Sequence, residues 1–141
     1  MPTPAPPTLI DMELARRLAA GGVRWDPADG DRFTIPGKDL DAAVFVVAPM
    51  VVDVVRSGGR ALLRFNGTVE WALDSVQQDE VIWLPSEEQV RALLGGTFRT
   101  LTATADGYRV EVEIAGVRHR AEARSVVDAY AVALLLMAEP D

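Results

Sequence analysis

Residues 125–137 read Ser-Val-Val-Asp-Ala-Tyr-Ala-Val-Ala-Leu-Leu-Leu-Met, and this stretch decides the fold. Ser125 is a strong N-cap residue, and Asp128 stands three positions on. That spacing predicts a variant of the capping box, in which the serine oxygen accepts a backbone N–H and the carboxylate reaches back. A carboxylate in the first turn also suits the positive end of the helix dipole. From Ala129 to Met137 no charge interrupts the run. A helix lying on a surface keeps a polar face, and this one hardly has one. It therefore calls for cover on several sides by a sheet, another helix or a second copy of the chain. The run falls short of the roughly 20 apolar residues that a membrane span requires. It also lacks the basic face of helices that lie on lipid.

Immediately upstream, residues 98–104, 108–114 and 117–123 read as a three-stranded antiparallel meander. Asp106-Gly107 and Ala115-Gly116 supply its turns. In the middle strand Tyr108, Val110, Val112 and Ile114 alternate with Arg109, Glu111 and Glu113. That period of two predicts one dry and one wet sheet face. The third strand is expected to bury Val117, His119, Ala121 and Ala123 and to expose Arg118, Arg120 and Glu122. The final helix most simply packs across the dry face.

Further upstream, Ser86 caps a helix that runs to Gly95, with Val90, Leu93 and Leu94 as its buried stripe. Residues 9–20 form an N-terminal helix capped by Thr8, with Leu14, Ala15 and Leu18 on one face, ended by Gly21-Gly22. Short strands are expected at 32–35, 44–47, 51–56, 60–65 and 80–84, the pair around Ser57-Gly58-Gly59 forming a hairpin. Residues 68–76 read as a short helix capped by Thr68, although Trp71 and the β-branched residues also suit a strand. Strands and helices follow one another without a βαβ rhythm. The fold class is therefore α+β, an antiparallel sheet of meanders against a buried C-terminal helix, with one N-terminal and one central helix. Residues 1–8, MPTPAPPT, are expected to form a disordered proline-rich tail, and 9–141 a single domain.

Composition narrows the function classes. The chain has 141 residues and no cysteine, which removes disulfides, thiolate catalysis and cysteine-ligated metals. The formal charge of −7 opposes binding to nucleic acid, which requires cations against phosphate. It suits a basic protein partner, or simply solubility. The tail lacks a positive region before an apolar core, so a cytoplasmic location is the expectation.

Chemistry-bearing patterns are sparse. His119, the one histidine, lies between Arg118 and Arg120 and points inward by alternation. Asp26, Asp29 and Asp31 make an acidic loop without the spacing of a calcium hand, and Pro27 and Gly30 explain it as turn chemistry. The glycine pairs at 21–22, 58–59 and 95–96 lack the lysine and hydroxyl residue of a phosphate loop. Trp25, Trp71 and Trp83 lie near Asp26, Asp74 and Glu80, a combination that could line a pocket. No cofactor and no metal is implied.

The segments LARRLAAGGVRWDPADGDRF (14–33), FNGTVEWALDSVQQDEVIWLP (65–85), EEQVRALLGGTF (87–98) and DGYRV (106–110) resemble a family of short actinobacterial proteins of unknown function. The resemblance covers nearly the whole chain after residue 9. Automatic naming often labels such proteins as pilus-assembly proteins. Pilus-assembly ATPases carry a phosphate-binding loop on a longer chain, and nothing here matches one, so no ATPase residue carries over. The resemblance implies an orphan domain and brings no catalytic residues.

Two readings result. The first is a non-enzymatic interaction or regulatory domain, bound to a protein partner or to a second copy of itself. The second is a small-molecule binder or carboxylate-dependent hydrolase. Its pocket would lie near Trp25, Trp71 and Trp83, with Asp26, Asp74 or Glu80 as acid or base.

Overall fold

The structure, a computed structural model, describes residues 8–35, 44–47, 52–57, 60–65, 75–77 and 81–138. In chain order the elements are α1 (Met12–Ala20), β1 (Arg32–Thr34), β2 (Phe45–Val46), β3 (Val52–Ser57), β4 (Arg60–Phe65) and β5 (Ser75–Gln77). There follow β6 (Ile82–Leu84), α2 (Glu87–Leu94), β7 (Phe98–Ala103), β8 (Tyr108–Ile114), β9 (Val117–Ala123) and α3 (Val126–Ala138). The fold is α+β, and every described strand pairing is antiparallel. The chain divides into two compact units. One is built from the segments up to Gly22 and from Pro85 onward, the other from Val23–Leu84.

The first unit is organised by α3. The strands run β7-β8-β9 in the sheet, and α3 packs against β8, β9, α1 and α2. Val127, Ala129, Tyr130, Ala131, Ala133, Leu134 and Leu135 are buried, facing Val110, Val112 and Ala121 of the sheet and Ala15, Leu18, Val90 and Leu94 of the other helices. Removing each large apolar side chain from water contributes about 1.5–3 kcal/mol. The small residues at 129, 131 and 133 let neighbouring backbones come close. The alternation in β8 is as expected, with Val110 and Val112 wholly buried. On β9 it is graded: Ala121 is buried, His119 half-buried, and Val117 is 55% exposed where the strand runs out beyond its cover.

Helix capping departs from expectation in an informative way. Ser125 Oγ accepts the Asp128 N–H at 3.2 Å, as a cap should. The Asp128 carboxylate does not complete a box within its own helix. It accepts the Asp11 N–H at 2.8 Å, across 117 residues of sequence. Aspartate is one methylene shorter than the glutamate of a standard box, and here a neighbouring helix start lies within its reach. Asp11, not Thr8, then caps α1, its Oδ1 accepting from Glu13 N at 2.9 Å and Leu14 N at 3.2 Å. The two helix N-termini are thus joined by a relay of carboxylates, each at the positive end of a dipole. In α2 the full capping box does form, Ser86 with Gln89. Its buried stripe is Val90 and Leu94, whereas Leu93 stands out at 41% exposure. Leu93, at i+3 from Val90, lies at the solvent margin of that stripe.

Both meander turns obey their glycines. Ala115 and Gly116 take positive φ of 52° and 81°, the two left-handed positions of a tight hairpin. At Gly107 a Cβ would lie 2.2 Å from the Ala123 carbonyl oxygen, so no other residue fits without moving backbone.

In the second unit, one sheet has the order β2-β1-β6 and the other β3-β4-β5. The hairpin expected around 57–60 is present, with Ser57 opposite Arg60. Residues 75–77 are a strand beside β4, which corrects the helix expected over 68–76 at its C-terminal end. The pull of an open β4 edge on a β-branched residue such as Val76 outweighs the weak helical signal. Residues 1–7, 36–43 and 68–74 lie outside the described residues.

Candidate functional site

Three places merit attention, and each is built from local chemistry. The first is the aromatic core of the second unit. β1 is the middle strand, and Phe33 sits opposite Phe45 on one side and Trp83 on the other. Trp25 comes in from the loop after α1 and stacks on Trp83, ring centroids 6.3 Å apart and planes at 7°. It lies 5.6 Å from Phe33, which in turn stacks on Phe45 at 5.4 Å. Ile35, Val47 and Val81 complete the cluster.

Asp31 holds the Trp25 loop in place. Its Oδ2 accepts from Trp25 Nε1 at 2.9 Å and from Ala28 N at 3.0 Å. Its backbone closes the turn, with Asp31 N donating to Ala28 O and Val47 N donating to Asp31 O. Asp31 is therefore the buried partner that satisfies an indole, while Asp26 and Asp29 are exposed. The acidic loop is explained as turn chemistry plus one structural carboxylate. Among the described residues no three histidine, aspartate or glutamate side chains gather as metal ligands would.

Of the residues expected to form a pocket, the structure brings Trp25 and Trp83 together. Asp26 is exposed in the same loop. Trp71, Asp74 and Glu80 lie outside the described residues. Trp83 Nε1 is buried and has no hydrogen-bond partner among the described residues. A buried unpaired donor is costly, on the order of 1–3 kcal/mol, and native structures contain few.

The second place is the wet face of the meander, where acid and base interlock. Glu111 accepts from Thr100 Oγ1 at 2.9 Å and pairs with Arg120 at 3.3 Å and Arg118 at 3.7 Å. The Thr100 hydrogen bond, with the two guanidinium groups, holds the Glu111 carboxyl below the usual range, although partial burial opposes this. Glu122 binds Arg109 at 2.8 Å, and Glu113 lies 3.6 Å from Arg99 and 3.9 Å from Arg118. His119 pairs with Val112 on the opposite, dry face, as its alternation predicted. An open depression of about 470 Å³ adjoins the β7–β8 turn, lined by Thr104, Asp106, Tyr108, Arg109, Glu122 and Arg124 among others.

The third place is β7. Among the described residues it forms one border of the sheet, paired with β8, with its register shifted between Phe98 and Thr100. Phe98 is anchored: the Arg91 guanidinium lies 3.7 Å over its ring, and its ring meets Tyr130 edge-on at 6.0 Å. Burial and the nearby Glu87 raise the Tyr130 phenol above its usual value, partly offset by Arg91. Beyond Phe98 every residue of the strand is exposed, including Leu101 at 39%. Leu101 is paired with Val110, so it extends the dry face past the cover of α3. Sequence reading found the strand but not its exposure; the signal available was the run Thr100–Ala105, which carries no charge.

Comparison with known proteins adds no relative: no protein-family model, curated protein or solved structure matches the chain.

Proposed function

We propose that this chain is a non-enzymatic interaction domain, and that its binding surface is the β7 border of the meander. The observation that carries this reading is the exposure of Thr100, Leu101, Thr102 and Ala103 on a strand edge that no other described strand pairs. Such an edge offers a row of backbone donors and acceptors to an extended segment of another chain, and Leu101 offers an apolar contact. The ionisable groups of the adjoining face support the reading, because Glu111, Glu113 and Glu122 are each committed to arginines. A photo-crosslinking residue placed at position 101 of the full chain, in the cells that make it, tests this. Discrete protein adducts are expected at 101 and not at the exposed helix position 16. Equal labelling at both positions contradicts the reading.

A second reading, binding of a small molecule beside Trp25 and Trp83, is favoured by the unpaired Trp83 Nε1. A ligand with a hydrogen-bond acceptor there would satisfy the indole and alter tryptophan fluorescence. Screening metabolites by that signal, with Trp83→Phe as control, tests it; no change with any compound counts against it.

A further inference from the structure

We propose that β7 pairs antiparallel with β7 of another molecule about a twofold axis near Thr102, joining two meanders into one six-stranded sheet. The inference rests on the reading of β7 as the binding border and names its occupant.

Three observations select a second copy. Charge comes first. Arg99 stands near the start of β7 and Asp106 just past its end, with the uncharged run Thr-Leu-Thr-Ala-Thr-Ala between them. Antiparallel self-pairing brings each Arg99 toward the partner copy's Asp106, so two opposite-charge contacts form by symmetry. Parallel pairing would set like beside like. Asp106 is exposed and has no hydrogen bond or ion pair among the described residues, so it is available. The Arg99 side chain is part-exposed, its Nη1 donating to the carbonyls of Gly96 at 2.7 Å and Phe98 at 2.9 Å and its Nη2 lying 3.6 Å from Glu113.

Next, the two borders of the sheet differ. β9 exposes Arg118, Arg120 and Glu122, the charged side chains with which proteins discourage edge pairing. β7 carries none between Thr100 and Ala105. A β7–β9 contact would also be head-to-tail and would propagate, whereas β7–β7 closes as a dimer.

The third observation is the uncovered dry face. Leu101 and Ala103 share that face with Val110 and Tyr108, their register partners, yet both are exposed. A twofold near Thr102 places Leu101 opposite the partner copy's Ala103, twice, and continues the apolar surface across the junction. The shifted register at Phe98 and Thr100 confines regular pairing to the uncharged run.

Charge swapping tests the proposal on the full chain, by sedimentation equilibrium at several ionic strengths. The wild type is expected to dimerise, more weakly as salt rises. Asp106→Arg and Arg99→Asp should each weaken dimerisation by about tenfold or more, since each sets two like-charge pairs across the axis. The double variant, carrying both, should recover it. Circular dichroism and the melting temperature follow folding throughout. Arg99→Asp alone also loses the Glu113 ion pair, so Asp106→Arg is the decisive single change. A wild-type monomer at high micromolar concentration overturns the proposal, as does a dimer indifferent to the single changes or a double variant no better than either. An adduct at position 101 with a protein other than this chain, from a monomeric wild type, would sink the dimer and leave the interaction reading standing.

Discussion

Asp31 shows how one buried side chain can set a whole loop. It takes two donors, one an indole and one a backbone amide. Asp31→Ala removes the acceptor of a buried indole N–H and of a part-buried amide, and should cost about 1–3 kcal/mol, chiefly through the indole. Thermal or urea unfolding measures this, and the quenching environment of Trp25 should change with it. Glu111 offers a sharper test. Because its carboxyl is held below the usual range, the folded state binds its proton less readily than the unfolded chain does. Its contribution is therefore present above the unfolded value and is lost as pH falls through the folded one. Thr100→Val removes the leading cause, and an NMR titration should show the Glu111 midpoint move up. No movement would show that the arginines alone set it. Tyr130 behaves oppositely in sense: its phenol is raised by burial, so its stabilisation holds below the ordinary tyrosine range and fades as pH climbs through the raised value. Alkaline absorbance titration of Tyr108→Phe isolates that transition. Very little of this was legible in sequence. Asp31 looked like its neighbours Asp26 and Asp29, because nothing local says which of three loop carboxylates turns inward. Trp25 and Trp83 lie 58 positions apart, and only the folded sheet stacks them.

At the scale of elements, neighbouring residues of α3 should respond very differently. Leu135 is 4% exposed and Leu136 36%. Leu135→Ala should cost about 2–5 kcal/mol through lost burial and a residual cavity. Leu136→Ala should stay within about 0.5 kcal/mol. Equal effects would mean that the helix is rotated from the orientation described. The Asp128 relay gives a second contrast. Asp128→Ala should cost about 1 kcal/mol and speed amide exchange in α1 before the meander is affected, because the lost acceptor serves the Asp11 N–H. The meander, α2 and α3 were readable from sequence, since each combined a strong period with a cap or turn residue. Ser86, Asp106-Gly107 and Ala115-Gly116 are examples. Where period and cap disagreed, reading failed. Thr8 was read as the cap of α1, but Asp11 caps it, its own N–H held by a carboxylate 117 residues away. Residues 75–77 became a strand because β4 offers a partner, which no window of nine residues can register.

At the scale of the molecule, the chain returns to where it began. The chain leaves the first unit after Gly22 and rejoins it at Pro85, with Val23–Leu84 forming its own unit in the intervening sequence. Composition does not mark that division, since short β-branched strands fill the second unit and the meander alike. The first unit depends on α3 being covered on one side by β8 and β9 and on others by α1 and α2. Residue-resolved amide hydrogen exchange on the full native chain tests that dependence most directly. The amides of Val127–Leu135 should be among the slowest in the protein, exchanging together with Val110 and Val112 of the sheet. Exchange of those helical amides as fast as the exposed amides of the Ala105–Gly107 turn, while Val110 and Val112 stay protected, would contradict the account.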